Sequence, residues 1–116
     1  MREKMYKYNA KLIRVIDGDT IDALIDLGFD VWVKKRIRLY GINTPETRTR
    51  DLEEKKAGIA AKDRLSEIMQ DCDYEFVLVS HGIGKYGRCL GELFIDNSQE
   101  SVNQTLINEG HAEIYQ

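Results

Sequence analysis

Proline occurs once in the 116 residues, at position 45, and cysteine and histidine occur twice each. Cys72 and Cys89 are too few for a disulfide framework, and neither belongs to a Cys-x-x-Cys pair of the kind that binds zinc or does redox work. Each reads as a small core or surface residue. No apolar run exceeds a few residues, so nothing in the sequence can span a bilayer. The opening MREKMYKYNAKLIRV has basic residues but no apolar block with a cleavage site behind it, and a cytoplasmic protein is expected. Positive charge is scarce as well: 17 Lys and Arg against 20 Asp and Glu leave a net charge of -3. A protein that grips nucleic acid through many phosphates is usually basic, so any phosphate contact here has to be local. Local clusters exist at Lys34, Lys35, Arg36 and Arg38, at Arg48 and Arg50, and at Lys85 and Arg88. From charge counts alone, these are the solvated faces of strands and turns.

What is present suits one globular domain spanning 1–116, with 42% hydrophobic and 32% charged residues and no repeats or low-complexity tracts. KYNAKLIRVI, from Lys7 to Ile16, is rich in β-branched and aromatic types, and DGD at 17 to 19 is a turn signal that closes it. TIDALIDL alternates Ile21, Ala23, Ile25 and Leu27 with polar or small partners, the period of a half-buried strand, and Gly28 ends it. VWVKKRIRLYGI supplies a third strand whose two faces the pattern leaves unassigned. Pro45 then stops the ladder, because it has no N–H to donate.

The period changes in DLEEKKAGIAAKDRLSEIM, where Leu52, Ala57, Ala61, Leu65, Ile68 and Met69 fall near one helical face. Asp51, Glu53 and Glu54 lie in its first turn, where the helix dipole favours acids. YEFVLVS and RCLGELFI read as two more strands joined by the glycine-rich HGIGKYG. SQESVNQTLINEG reads as a second helix that begins near Ser98 or Ser101 and ends at Gly110, the usual residue type for a left-handed cap. The order β-β-β-α-β-β-α predicts a mainly β fold with helices (α+β): the OB-fold, a five-stranded Greek-key barrel. A ferredoxin-like fold would need a helix after the first strand, and an SH3-like fold would leave the long helix unexplained.

Within this frame, RLYGINTPE poses a question: Arg38 and Glu46 stand at the two ends of a strand that stops on proline. Most such residues are a solvated edge charge and a loop carboxylate. Two other pieces bear on the answer, DGDT with Asp17, Asp19 and Thr20, and GKYGR with Lys85, Tyr86 and Arg88. In this order and spacing the three resemble the staphylococcal nuclease-like (thermonuclease) family. Its signatures are an Asp-Gly-Asp-Thr turn, an Arg-Leu-x-Gly-Ile-Asp-x-Pro-Glu segment, and a Tyr-Gly-Arg segment after the long helix. The resemblance extends over nearly the whole chain, including SVNQTLINEGHAEIY.

The resemblance implies a metal-dependent nuclease that hydrolyses phosphodiester bonds of DNA, RNA or both. Such chemistry needs an oriented or deprotonated water, cations to balance the nonbridging oxygens, and help for the departing oxygen. Arginine suits the cationic role, since its planar fork holds two phosphate oxygens and stays charged. By resemblance the catalytic arginines are Arg38 and Arg88, and the catalytic carboxylate is Glu46. The implied metal is Ca2+, held by Asp19, Asn43 and the carbonyl of Thr44, with Asp17 in support. Lys85 and Tyr86 match positions that contact a substrate phosphate. Asn43 departs from the pattern, which has aspartate there. An amide oxygen can still bind calcium, but the lost charge implies weaker binding or another divalent cation. Asn43 also suits a turn ahead of Pro45, and one residue can do both.

Other residues invite roles that their surroundings in the sequence do not require. Lys85 and Tyr86 would be a plain hairpin loop without Arg88 beside them, and Arg48 and Arg50 would be solvated. His81 and His111 match no catalytic position and read as a turn residue and a helix-end residue. Phe29, Trp32 and Tyr40 offer stacking faces, with core or rim packing expected for at least two. Tyr115 lies near the family's aromatic base contacts, in poor register. The best-known members continue into a further helix past the position of Gln116, so less packing, lower stability or an oligomer is an expectation here. The competing function is a catalytically weak or inactive OB-fold module that binds nucleic acid or a protein. A structural subunit of a larger assembly leaves the three motifs to chance. Neither a membrane nor an obligate protein partner is expected.

Overall fold

The computed structural model describes residues 6–115. Its elements in chain order are β1 (Lys7–Asp17), β2 (Thr20–Asp26), β3 (Trp32–Leu39), β4 (Ile42–Asn43), α1 (Leu52–Asp71), β5 (Glu75–Ile83), β6 (Cys89–Phe94), α2 (Val102–Asn108) and β7 (Glu113–Ile114). A single 3-10 turn, Lys85–Gly87, separates β5 from β6. Five strands close into a barrel in the order β1-β2-β3-β6-β5, while β4 and β7 form a separate two-stranded ribbon. This is the five-stranded architecture of the OB-fold, with short additional pairing at the site end.

Closure depends on one short parallel ladder, in which Ile37, Arg38 and Leu39 of β3 pair with Cys89, Leu90 and Gly91 of β6. The other barrel pairs are antiparallel. Period-two alternation fills the interior with Ile21, Ala23 and Ile25 from β2, Ile37 and Leu39 from β3, Phe76 and Leu78 from β5, and Leu93 from β6, all buried. The faces of the third strand are thereby settled: Ile37 and Leu39 look inward, so Arg36 and Arg38 look out. β3 stops at Leu39, and the chain turns at Gly41, which has φ 79, before re-forming as β4.

Helix α1 caps one end of the barrel. Asp51 accepts from the backbone N–H groups of Glu53 and Glu54, and these two acids occupy the first turn. Ala61, Leu65, Ile68 and Met69 are buried as the pattern predicts, but Leu52 is 74% exposed and Ala57 is exposed. Both lie in the first two turns of α1, where the helix meets the loop of Pro45 and Glu46 through Gly58. Gly58 is buried in their place. In α2 the cap is Ser101, whose Oγ accepts from Gln104 N at 3.0 Å, and Gly110 follows with φ 82. Asn103 on α2 fills the opening where β3 and β6 part. It accepts from Leu93 N at 3.1 Å and donates to Tyr40 O at 2.8 Å and Gly91 O at 3.1 Å.

The three candidate stacking residues are not packed inside: Trp32 is 41%, Tyr40 45% and Phe29 101% exposed. Phe29 sits at the tip of the β2–β3 hairpin, where a side chain has no neighbours to bury against. No helix among the described residues is long and apolar enough to cross a membrane.

Candidate active site

The Asp17–Thr20 turn and the end of β3 are joined by their backbones. Thr20 pairs with Arg38, and Leu39 N donates to Asp19 O at 2.8 Å. Asp19 is therefore delivered beside Arg38 although 18 intervening residues separate them. Its Oδ2 lies 3.3 Å from Arg38 Nη1, and the two side chains are only 11% and 14% exposed. The same Oδ2 accepts from Thr44 N at 3.1 Å, and Oδ1 accepts from Thr20 Oγ1 at 3.0 Å.

Arg38 is held from several directions. Nη1 donates to Ile42 O at 2.9 Å and Leu39 O at 3.2 Å, and Nη2 donates to Asn43 Oδ1 at 3.2 Å. The ring of Tyr115 stands 5.8 Å from the guanidinium carbon, in cation–π range, and Tyr115 N donates to Gly41 O at 2.9 Å. A partly desolvated arginine with this many partners has little rotamer freedom left to lose when a phosphate arrives. Thr44 Oγ1 is buried among these groups without a hydrogen-bond partner.

The structure thus brings Asp19, Arg38, Asn43 and Thr44 together. Asp17 stands next to them and accepts from Thr47 Oγ1 at 2.6 Å, which ties the first turn to the loop after Pro45. Glu46 is exposed on that loop. Among the described residues, no hydrogen bond or ion pair links Glu46 to Arg38 or to Asp19. Arg88 precedes β6 by one residue, beside the ladder that pairs Cys89 with Ile37, so it enters on the strand next to Arg38. Its side chain is exposed and touches the Tyr86 ring at 5.7 Å. Lys85 and Tyr86 are exposed in the 3-10 turn, with Tyr86 at φ 62. Arg48 and Arg50 are exposed too.

Two residues that shape the site carry no chemistry. A Cβ on Gly58 would fall 2.6 Å from Glu46 O and 2.7 Å from Pro45 O, and one on Gly18 would fall 2.7 Å from the Ala61 side chain. The loops bearing Glu46 and Asp19 therefore seat directly on the small-residue stretch of α1. A glycine in the middle of a helical pattern, in KAGIAA, was the available signal. Tyr115 was also undervalued by its register, because only the β4–β7 pairing of Asn43 with Glu113 and Ile42 with Ile114 carries it to Arg38.

The histidines differ. His81 is not in a turn but in β5, where Nε2 is 2.6 Å from Glu92 Oε1 and the ring stacks on Tyr40 at 3.9 Å. His111 follows α2, its N–H donating to Leu106 O at 2.9 Å, a helix-end position as expected.

A closed five-stranded barrel of this order, with an arginine, an aspartate and an asparagine drawn together at its rim, defines an OB-fold domain with a candidate site at that rim. Residues 36–116 match the family model described as staphylococcal nuclease homologue, and the chain belongs to that family. It is 25% identical over 115 residues to the micrococcal nuclease of Shigella flexneri, covering 93% of this chain and 59% of that protein. It is 28% identical over 112 residues to protein ParB of Escherichia coli, covering 90% of this chain and 56% of that protein. An uncharacterized protein of Methanocaldococcus jannaschii is 28% identical over 130 residues, covering 93% and 59%. The chain spans less than two thirds of the length of each of these relatives.

Proposed function

We propose that this domain hydrolyses phosphodiester bonds of DNA, RNA or both in a reaction that needs a divalent cation. The observation that carries the reading is the convergence on one guanidinium of Asp19 Oδ2 at 3.3 Å and Asn43 Oδ1 at 3.2 Å. Two side-chain oxygens from separate turns meet in one small volume, with Thr44 bound to the first of them.

That donor set fits a hard cation that accepts carboxylate, amide and carbonyl oxygens. Asp19, Asn43 and the Thr44 carbonyl would hold it, with Asp17 nearby, and calcium is the cation proposed. Asp19 is the single full negative charge in the set and already faces Arg38, so affinity is weak. When bound, such a cation supplies positive charge to a phosphate oxygen.

The chain's own residues do the rest. Arg38 and Arg88 balance the charge that grows on the nonbridging oxygens as the phosphorus becomes five-coordinate. Glu46 takes a proton from water, the water oxygen bonds to phosphorus, and the ester oxygen departs with a proton from solvent. Lys85 and Tyr86 hold a neighbouring phosphate.

The test incubates the protein with single- and double-stranded DNA and RNA in calcium, in magnesium and in chelator. Cleavage stops in chelator, and Glu46→Gln slows it by about 10² to 10⁴ without altering thermal unfolding. Asn43→Asp restores a ligand charge and lowers the calcium concentration needed for half-maximal rate. Chelator-resistant cleavage, or a Glu46→Gln variant as fast as the parent, sinks the reading. A second reading, binding without cleavage, is favoured by the neutral Asn43 and requires binding with no cleavage in any cation.

A further inference from the structure

The Lys85–Gly87 turn carries Lys85 and Tyr86, and Arg88 follows it, yet the two ends of this segment are held differently. At the β6 end the parallel ladder fixes the chain, because Cys89, next to Arg88, pairs with Ile37 of β3. At the β5 end the antiparallel ladder breaks. Val79 pairs with Glu92 and Ser80 with Gly91, but the next pair is Ile83 with Cys89, so His81 and Gly82 together stand opposite Leu90. That is a β-bulge, which bends its strand and gives the following residues a new direction. Gly82 supplies φ 89 there, and its N–H donates to Ser80 Oγ at 3.2 Å.

Past the bulge the turn is bonded to itself. Gly84 N donates to Arg88 O at 2.7 Å and Arg88 N to Lys85 O at 3.4 Å, while the Arg88 guanidinium meets the Tyr86 ring. Among the described residues, His81 is the side chain of segment 80–88 whose hydrogen bond and ring contact reach outside that segment. Nε2 lies 2.6 Å from Oε1 of Glu92, a diagonal neighbour on β6, and the ring stacks on Tyr40 at 3.9 Å with 5° between the planes. An ionised carboxylate only accepts, so Nε2 carries the hydrogen whether the ring is charged or neutral. In the barrel order β3-β6-β5, a contact from His81 to the residue after β3 crosses β6. Tyr40 is itself fixed two residues beyond Arg38: its N donates to Gly91 O at 2.8 Å, and its O accepts from Asn103 Nδ2 at 2.8 Å. Of the other charged groups bordering the same groove, Lys11 and Glu75 lie 3.8 Å from each other, and neither Lys7 nor Asp96 forms an ion pair with His81 or Glu92.

We propose that His81 is a positioning residue, a clasp between Glu92 and Tyr40 that holds the β5 end of the turn and so sets where Lys85 and Tyr86 stand relative to Arg38. Its effect on turnover rests on the hydrolytic reading, in which Lys85 and Tyr86 hold a phosphate. The clasp itself belongs to the free protein. It orders the turn before substrate arrives, so that binding does not bear the ordering cost. Arg88 depends on the β6 ladder instead, so the clasp acts on substrate binding more than on the chemical step.

Amide hydrogen exchange in the free protein reads the clasp directly, with Gly84 N–H as reporter of the turn and Leu39 N–H, bonded to Asp19 O at 2.8 Å, as reporter of the barrel. The side chains of His81 and Glu92 are 29% and 30% exposed, so substitution there leaves the core intact. His81→Ala and Glu92→Ala each lower the protection of Gly84 about 10-fold, the loss of one charge-assisted hydrogen bond, and leave Leu39 unchanged. His81→Gln keeps an N–H for Glu92 and recovers most of the protection. With a short oligonucleotide substrate in calcium, His81→Ala raises KM about 3- to 10-fold and keeps kcat within about twofold. The rise vanishes when Lys85 and Tyr86 are both replaced by alanine, whereas a merely structural loss repeats in that background. Unchanged Gly84 exchange, equal acceleration at Gly84 and Leu39, or a KM rise that persists without Lys85 and Tyr86 overturns the clasp. Absence of cleavage by the parent protein in every cation sinks the hydrolytic reading alone, and Gly84 exchange then decides the clasp by itself.

Discussion

Arg38 and Arg88 enter from neighbouring strands with the same charge, yet they are held in opposite ways. Arg38 donates to Leu39 O, Ile42 O and Asn43 Oδ1, faces Asp19, and has 14% of its side chain exposed. Arg88 is exposed at the end of a glycine-flanked turn and has the Tyr86 ring as its neighbour. Glu46 resembles Arg88, with a backbone seated on α1 and a side chain in solvent. Half of the candidate site is therefore built into the fold and half stands in solvent, where on the proposed reading it would be ordered at the expense of substrate binding energy. A mutation in the first half acts on stability and rate together, and one in the second half acts on rate.

Replacing both arginines in turn gives the sharpest test. Arg38→Ala lowers kcat/KM by about 10² to 10³, and it also destabilises the fold by about 3 kcal/mol because Asp19 keeps a desolvated charge without its partner. Arg88→Ala lowers kcat/KM to a similar extent and leaves the unfolding midpoint in place. Equal midpoints for the two variants would erase the distinction. Next in size is Asn103→Ala, which strips a partner from Leu93 N and Tyr40 O, while Gly91 O keeps its bond from Tyr40 N at 2.8 Å. About 3 kcal/mol is lost in urea unfolding, since each buried group left unpaired costs about 1–3 kcal/mol with partial rescue by water.

Gly58→Ala probes the exposed half through its seat. The added methyl meets the Pro45 and Glu46 carbonyls, so the loop shifts and turnover falls by up to about 10² with a small change in melting temperature. Retained turnover would detach Glu46 from the reaction. The smallest effect concerns Asp22, whose carboxyl the Arg36 and Arg14 guanidiniums lower from 3.8 to about 2 against the opposing cost of burial. A folded pKa below the unfolded one adds stability that is complete above about pH 4 and disappears as pH falls through about 2. Solvent around the arginines reduces this to about 1–2 kcal/mol. Asp22→Asn should flatten that part of the acid-unfolding curve, and an unchanged curve would mean that the two arginines do not hold Asp22 below its ordinary range.

The local features were the legible ones. The alternation of Ile21, Ala23 and Ile25, the acids at the start of α1, the proline stop and the glycine at 110 each depend on residues a few positions apart, and each appears in the fold. The three motifs were legible for the same reason, being short strings. Leu52 and Ala57 show the limit: helical periodicity assigns them to the buried face, and only the tertiary packing leaves both exposed and buries Gly58.

Long-range facts required the fold. Asn103 and Gly58 belong to none of the three motifs, Tyr115 stands only near an aromatic position of the family, and each matters through a neighbour more than 10 positions away. His81 reads as a turn residue in the sequence because its partners, Tyr40 after β3 and Glu92 in β6, are distant along the chain. The row Trp32, Lys34, Arg36 and Arg38 was visible as a charge cluster, but its faces stayed unassigned until the burial of Ile37 and Leu39 set them. The amino-acid order by itself determined the five barrel segments, the two helices and the motifs they carry, though not the β4–β7 ribbon or the full reach of β5, because hydrophobic period, caps and turn chemistry act over a few bonds. Only the tertiary structure decided that Asp19 and Asn43 meet at Arg38 and that Arg88 and Glu46 stay in solvent, because contact between distant segments depends on how strands register and where a helix has room to sit.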